Sequence, residues 1–227
     1  AGHSLGEYSA LVAAGVIPFA DAVPLVRLRA AAMQEAVPAG AGAMAAILGL
    51  GDEEIAGVCA EAASAVGAGA VVEPVNFNGP GQTVIAGNTA AVESACALCK
   101  ARGAKRAVLL PVSAPFHSSL MRPAAEKLAA RLSELNFAEP QIPIINNVDV
   151  AIVSSSTRIK DALVRQAYSP VRWVETIRKM AAMGVTTVAE CGPGKVLSGL
   201  SKRCADSVSS VALADLAAIE SAAANLE

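Results

Sequence analysis

The sequence predicts an α/β protein with a smaller unit inserted into a larger one. Strands alternate with helices before and after residues 41–111, the pattern of a parallel sheet covered by helices. Within 41–111 the order becomes β-α-β-β-α-β, the split-βαβ or ferredoxin-like arrangement. Hydrophobic residues make up 54% of the 227 and charged residues 17%, so a sizeable core can form and disorder is excluded. The division is therefore residues 1–40 with 112–227 as one subdomain, and 41–111 as the other.

Residues 5–14 place Leu5, Tyr8, Leu11 and Val12 at helical spacing, and Gly15 stops the helix. A second helix is expected from Asp21 as N-cap to about residue 37, with Pro24 tolerated in its first turn. Residues 43–50 read as a strand, after which Asp52 caps a helix striped by Ile55, Val58, Cys59 and Ala62. Two strands, 71–77 and 82–87, join through Asn78-Gly79-Pro80-Gly81, a turn that Asn76 and Asn78 are read as building. A helix over 89–102 buries Val92, Ala95, Cys96 and Cys99, and 104–112 closes the insert as a strand. Then come a loop at 113–117, a helix over 120–135 and a short strand at 142–146. Helices at 159–168 and 171–183, a strand at 186–191, the tight loop Gly192-Pro193-Gly194, a helix at 195–204 and an alanine-rich tail complete the chain.

Composition excludes several functions. A net charge of −2 and 3% aromatics provide neither a basic field nor a stacking surface for nucleic acid. No apolar run is long and unbroken enough to span a membrane, and no signal peptide is apparent. Five scattered cysteines read as reduced thiols of a cytoplasmic protein. Cys96 and Cys99 have C-x-x-C spacing, yet they share a helical stripe and no second pair completes a zinc site. The chain opens without Met and without the strand expected ahead of its first motif, so it is read as lacking its natural N-terminal part.

That motif is Gly2-His3-Ser4-Leu5-Gly6, a G-x-S-x-G nucleophile elbow in which small residues let a strained strand-to-helix turn close. Ser4-Leu5-Gly6-Glu7 is equally S-x-x-E, a capping box that starts an ordinary helix. A nucleophilic serine needs a base, and the chain has two histidines. His3, next to Ser4, points the other way on an extended approach, which leaves His117, as a base or as a surface histidine. No Asp or Glu stands out to orient it, so a backbone carbonyl could serve. Arg29 lies beside the apolar line Val26, Ala30, Met33 and Val37, where it either snorkels to solvent or anchors a carboxylate.

Residues 2–17, 21–50, 74–87, 111–121 and 191–200 together resemble the malonyl-CoA:acyl-carrier-protein transacylase family, its free-standing bacterial type, along essentially the whole chain. The resemblance implies an α/β-hydrolase-like large subdomain around a ferredoxin-like small one. It implies Ser4 as nucleophile, His117 as base and the backbone carbonyl of Gln166 as holder of the imidazole. Arg29 would bind the malonyl carboxylate, the backbone N–H of Leu5 would donate to the oxyanion, and Phe116 and Leu5 would favour malonyl. A second oxyanion donor would come from a glutamine in a Gly-rich loop that this sequence does not contain. Malonyl-CoA and a phosphopantetheinyl acyl carrier protein would be substrates in fatty-acid synthesis, with no metal or redox cofactor and a monomeric, cytoplasmic enzyme. Basic residues Arg122, Lys127, Arg158, Lys160, Arg165 and Lys195 could steer the carrier or coenzyme A. Rival readings are a serine esterase or thioesterase, and a non-catalytic carrier-docking module.

Overall fold

The computed structural model describes residues 1–224. Among these, nine α-helices and six strands form an α/β fold with an antiparallel and a parallel sheet. Helix α1 (Leu5–Ala13) follows directly on Ser4, and α2 (Phe19–Glu35) begins after Pro18. Asp21 therefore lies in the first turn rather than at the cap. Pro24 sits in the helix interior, where only the Ala20 carbonyl loses a donor. The buried stripe of α2 is Ala22, Leu25, Arg29, Ala32 and Met33, so Arg29 belongs to the inward face itself while Ala30 is exposed.

The middle of the chain runs β1 (Gly42–Leu48), α3 (Asp52–Val66), β2 (Val72–Gly79), β3 (Gln82–Asn88), α4 (Thr89–Ala101) and β4 (Arg106–Leu109). The strands pair antiparallel in the order β2-β3-β1-β4. Alternation assigns each face. Ala45, Ile47 and Ile85 pack with Ile55, Val58, Val92 and Cys99 of the two helices. Met44, Val84 and Ala86 point the other way, against Phe116. Gly51 caps α3, and Asp52 instead accepts from the Thr83 hydroxyl at 2.5 Å. Asn76 and Asn78 lie within β2, so the hairpin turn is Pro80-Gly81, where Gly81 takes a φ of 67°.

After a 3-10 turn come α5 (Arg122–Glu134), α6 (Ser156–Gln166) and α7 (Trp173–Ala182). Leu128, Leu132, Ile159 and Leu163 close a core with Tyr8, Leu11 and Leu25. The strand expected at 142–146 is an extended segment with a single bridge, Ile145 to Ile152. Ile144 packs into the core of α1 and α6 and Ile145 is buried, whereas Ile142 is exposed, so the apolar run does not mark a paired strand. Among the described residues, the parallel strand pair is β5 (Thr187–Glu190) with β6 (Ser209–Ala212), joined through α8 (Val196–Cys204), and a single parallel bridge links Asn76 of β2 to Val171. The alanine-rich tail supplies β6 and α9 (Leu216–Ala224), neither of which its composition suggested. A groove of about 500 Å³ separates β5 from residues 142–144 and runs behind Gly2, His3 and Gly6. No helix among the described residues is long and apolar enough to cross a membrane.

Two glycines separate close approach from open space. A Cβ on Gly87 would lie 1.9 Å from the Val71 carbonyl oxygen, whereas one on Gly57 in α3 would meet nothing within 4 Å. Gly87→Ala should therefore lower stability by about 3 kcal/mol. Gly57→Ala should raise it by about 0.5–1 kcal/mol. Urea unfolding of the two variants checks both signs.

Candidate active site

The site forms where α1 starts. Ser4 has φ 52° and ψ −109°, a conformation L-residues seldom adopt, held by its surroundings. A Cβ on Gly2 would fall 2.0 Å from the Gly6 backbone, so glycine is required there, while Gly6 faces open space. Asn147 holds the turn from both sides, accepting the Ser4 N–H at 2.8 Å and donating to the Gly2 carbonyl at 2.7 Å. His3 is drawn away to Asn78 Oδ1 at 2.8 Å and lies against Trp173, consistent with its exclusion as base.

The Ser4 hydroxyl caps nothing; its Oγ lies 2.7 Å from His117 Nε2. The capping-box alternative therefore fails at Ser4, and the Glu7 side chain likewise turns inward instead of returning to the Ser4 N–H. His117 is 5% exposed with φ 66°, in a tight loop whose Pro115 packs over Gly42. Its Nδ1 lies 2.8 Å from the backbone oxygen of Gln166, the last residue of α6. That carbonyl is one of the orphan acceptors at a helix C-terminus, so it is free to receive Nδ1–H. Because a carbonyl only accepts, Nδ1 carries the proton and Nε2 is left to accept from Ser4.

Arg29 is 8% exposed and does not snorkel. Its Nη2 donates to Ser4 Oγ at 3.0 Å and to Gln166 Oε1 at 3.1 Å, and its guanidinium lies over the Tyr8 ring at 5.4 Å. Its Nε is buried with no hydrogen-bond partner among the described residues. Phe116 packs between the outer face of the sheet and the core that Met33 and Met121 form. Leu5 begins α1, where the first N–H groups have no intrahelical acceptor.

Three groups escaped the sequence reading. Glu7 is 2% exposed and accepts from Gln166 Nε2 at 2.7 Å and from the Asn147 N–H at 3.0 Å. The Gln166 side chain also donates to the Ser4 carbonyl at 3.1 Å. Asn147 was hidden for the same reason: its partners stand about 140 residues away in sequence. The one available signal was the acidic residue in an otherwise apolar helix stripe, Glu7 beside Tyr8 and Leu11.

Other candidates resolve otherwise. Cys96 and Cys99 are buried against the sheet, and burial pushes the Cys99 thiol up to about 11. Among the described residues, no group of three or more His, Cys, Asp or Glu is placed to hold a metal ion. Of the basic residues, Arg165 pairs with Asp149 and Asp161, Lys127 with Glu35, and Lys160 with the Leu135 carbonyl, while Arg122 stacks over Tyr168. Glu190 accepts the Ser198 N–H and hydroxyl, so the Gly192-Pro193-Gly194 loop is a turn into α8.

A half-buried serine, a neutral imidazole beside it and a buried cation are the elements that acyl transfer through a serine requires. Residues 1–222 match the acyl transferase domain family, and the chain belongs to it. Over 222 residues the chain is 58% identical to the malonyl CoA-acyl carrier protein transacylase of Escherichia coli strain K12, covering 98% of this chain and 71% of that one. The acyl-carrier-protein S-malonyltransferase of Burkholderia pseudomallei 1710b superposes with a TM-score of 0.93 at 57% identity, over 97% of this chain and 70% of that one. A malonyl-transacylase solved in complex with its type II PKS acyl-carrier protein superposes with a TM-score of 0.95 at 54% identity, covering 98% and 71%.

Burial moves the two titratable groups in opposite directions. It lowers His117 from 6.5 to about 3, with the Arg29 charge adding to the effect. It raises Glu7 from 4.5 to about 7, against donors from Gln166 and Asn147 and the Arg29 charge. His117 is thus neutral and able to accept a proton near neutrality. Its contribution to stability is complete above 6.5 and is lost as pH falls toward 3. That of Glu7 is complete below 4.5 and is lost as pH rises through about 7. Glu7→Gln removes the second slope, so its unfolding free energy should climb more steeply than that of the wild type between about pH 5 and 7. Urea titrations across that interval measure the difference.

Proposed function

We propose that Ser4, His117 and Arg29 carry out malonyl transfer from malonyl-CoA to the phosphopantetheine thiol of an acyl carrier protein. One observation carries the assignment of roles: Ser4 Oγ lies within hydrogen-bond distance of both a neutral base, at 2.7 Å, and a buried guanidinium, at 3.0 Å. Malonyl thioester is the acyl group that needs both, since its far carboxylate must be held out of water beside the scissile carbonyl.

His117 Nε2 takes the Ser4 hydroxyl proton as Oγ attacks the thioester carbonyl carbon. The C–S bond then breaks, His117 returns the proton to the departing coenzyme A thiol, and a malonyl-serine ester remains. The carrier's thiol yields its proton to His117, attacks the ester and releases Ser4, which regains the proton. The Leu5 N–H, at the positive end of α1, donates to the oxyanion in each half-reaction. Gln166 O steadies the imidazole throughout. Phe116 closes the wall next to His117, and no cofactor enters any step.

Residues 41–111 are read as a ferredoxin-like insert within an α/β-hydrolase-like subdomain of residues 1–40 and 112–227. The order β2-β3-β1-β4 with α3 and α4 on one face supports that division. The pathway proposed is fatty-acid synthesis, in the cytoplasm, by a monomer.

Incubation with malonyl-CoA should add one malonyl mass to the protein, and Ser4→Ala should abolish it. Discharge should be faster onto holo carrier protein than onto water. Hydrolysis without carrier preference would instead identify an esterase, and no adduct at all a docking module.

Arg29→Ala should cost malonyl transfer on the order of 3 kcal/mol in kcat/KM, about 150-fold, and spare acetyl transfer. Equal losses for both acyl groups would remove the carboxylate-anchor role.

A further inference from the structure

Gln166 serves the site twice. Its backbone oxygen holds His117 Nδ1 at 2.8 Å, and its side-chain Oε1 receives Arg29 Nη2 at 3.1 Å. One residue therefore registers the base against the cation. The backbone contact survives any rotation of the side chain, but the second depends on which way the amide points. A carboxamide has one accepting and one donating end, and the two are nearly equal in shape. Turned over, Gln166 would aim its NH₂ at a guanidinium that has only donors.

The direction is set at the other end of the amide. Gln166 Nε2 donates to Glu7 Oε2 at 2.7 Å and to the Ser4 carbonyl at 3.1 Å, both groups that only accept when Glu7 is ionised. The Ser4 carbonyl is shared with the Glu7 N–H at 3.0 Å, so the carboxylate is the closer and more strongly accepting partner. Glu7 is itself anchored by the Asn147 N–H at 3.0 Å, and Asn147 grips both sides of the Ser4 turn. Glu7 makes no direct ion pair with Arg29. The hydrogen-bonded link between the two runs through the amide.

We propose that Glu7 is a positioning residue for acyl-group selection: its carboxylate fixes the direction of the Gln166 side-chain amide and so the aim of Arg29 at the substrate carboxylate. This rests on Arg29 acting as the malonyl anchor. Misplacing a positioned group by an ångström costs on the order of a hundredfold in rate, so the effect is measurable. It falls selectively on malonyl, because the His117–Gln166 backbone contact does not need the amide.

The test compares malonyl and acetyl transfer to holo carrier protein in Glu7→Met and Glu7→Gln, with thermal melts confirming that both fold. Methionine matches the volume but accepts no strong hydrogen bond. Glutamine keeps an oxygen that can receive both the Gln166 and Asn147 donors. Glu7→Met is expected to lower malonyl kcat/KM on the order of a hundredfold while acetyl falls far less, and Glu7→Gln to restore most of the malonyl preference.

Equal losses for the two acyl groups in Glu7→Met, an unchanged malonyl-to-acetyl ratio, or a Glu7→Gln as impaired as Glu7→Met would each overturn the proposal. A wild-type measurement stands independently of either variant: the side-chain ¹⁵N resonance of Gln166, titrated with free malonate and with acetate. A shift with malonate but not acetate supports the relay from Arg29 to the amide, and no shift with malonate overturns it. If the wild type forms no malonyl-serine yet the resonance responds to malonate, the transfer reading fails while the amide relay stands.

Discussion

A guanidinium held out of water beside the Ser4 hydroxyl is the constraint around which the site is built. Arg29 lies in the buried stripe of α2, where an unpaired charge would cost several kcal/mol. The protein does not offset it with a direct carboxylate partner. It supplies the Gln166 amide oxygen, the face of Tyr8, the Ser4 hydroxyl and, one hydrogen bond further out, Glu7. A carboxylate in direct contact would neutralise the cation permanently. An amide placed between the two charges keeps the negative charge near enough to lower the cost of burial yet leaves the guanidinium able to take a second anion.

Fold and site are joined at the same few residues. Strand β2 is an edge strand of the antiparallel sheet, and Val171, between α6 and α7, pairs with it: Phe77 N–H donates to the Val171 carbonyl, and Val171 N–H to the Val75 carbonyl. The edge is thereby covered. Pro74 and two register irregularities fall in this strand, where a lost ladder bond is tolerated. Five residues before Val171, Gln166 ends α6 and presents its carbonyl to His117. One residue beyond the Ala114–Phe116 turn, His117 rests on the opposite face of the same sheet through Phe116. The sheet thus holds His117 from two directions, and His3, bonded to Asn78 of β2, ties the Ser4 turn to it as well.

What the sequence made legible was what lies close along the chain or carries rare chemistry. The G-x-S-x-G turn, the scarcity of histidine and an arginine near an apolar stripe led to Ser4, His117 and Arg29. The β-α-β-β-α-β order was readable because each element has its own period and turn. Glu7 was visible but misassigned, since S-x-x-E spacing suits a capping box as well as an inward carboxylate. Asn147 and the Gln166 side chain gave no local signal at all, because their partners lie 137 to 162 residues away in sequence. Residues 142–146 looked like a strand for a related reason. Ile144 and Ile145 are apolar because they are buried and Ile142 lines the open groove, so an apolar run arises without a neighbouring strand to pair with.

In the proposed transfer, the electrostatics of the site also bear on selectivity. Burial alone disfavours the imidazolium that must form when Ser4 attacks, and the Arg29 charge disfavours it further. The C-terminal end of α6, reached through Gln166 O, works the other way by accepting Nδ1–H and favouring positive charge. Arg29 Nη2 meanwhile occupies a lone pair of Ser4 Oγ, which makes the oxygen a poorer nucleophile. On that proposal, an anionic carboxylate brought to Arg29 would relieve both penalties, drawing the guanidinium's hydrogen bonds toward itself and offsetting its repulsion on the imidazolium. An acyl group without a carboxylate leaves both in force. The cation proposed to bind the malonyl carboxylate would thus also restrain the serine against acyl groups without one, and discrimination would reach the chemical step as well as binding.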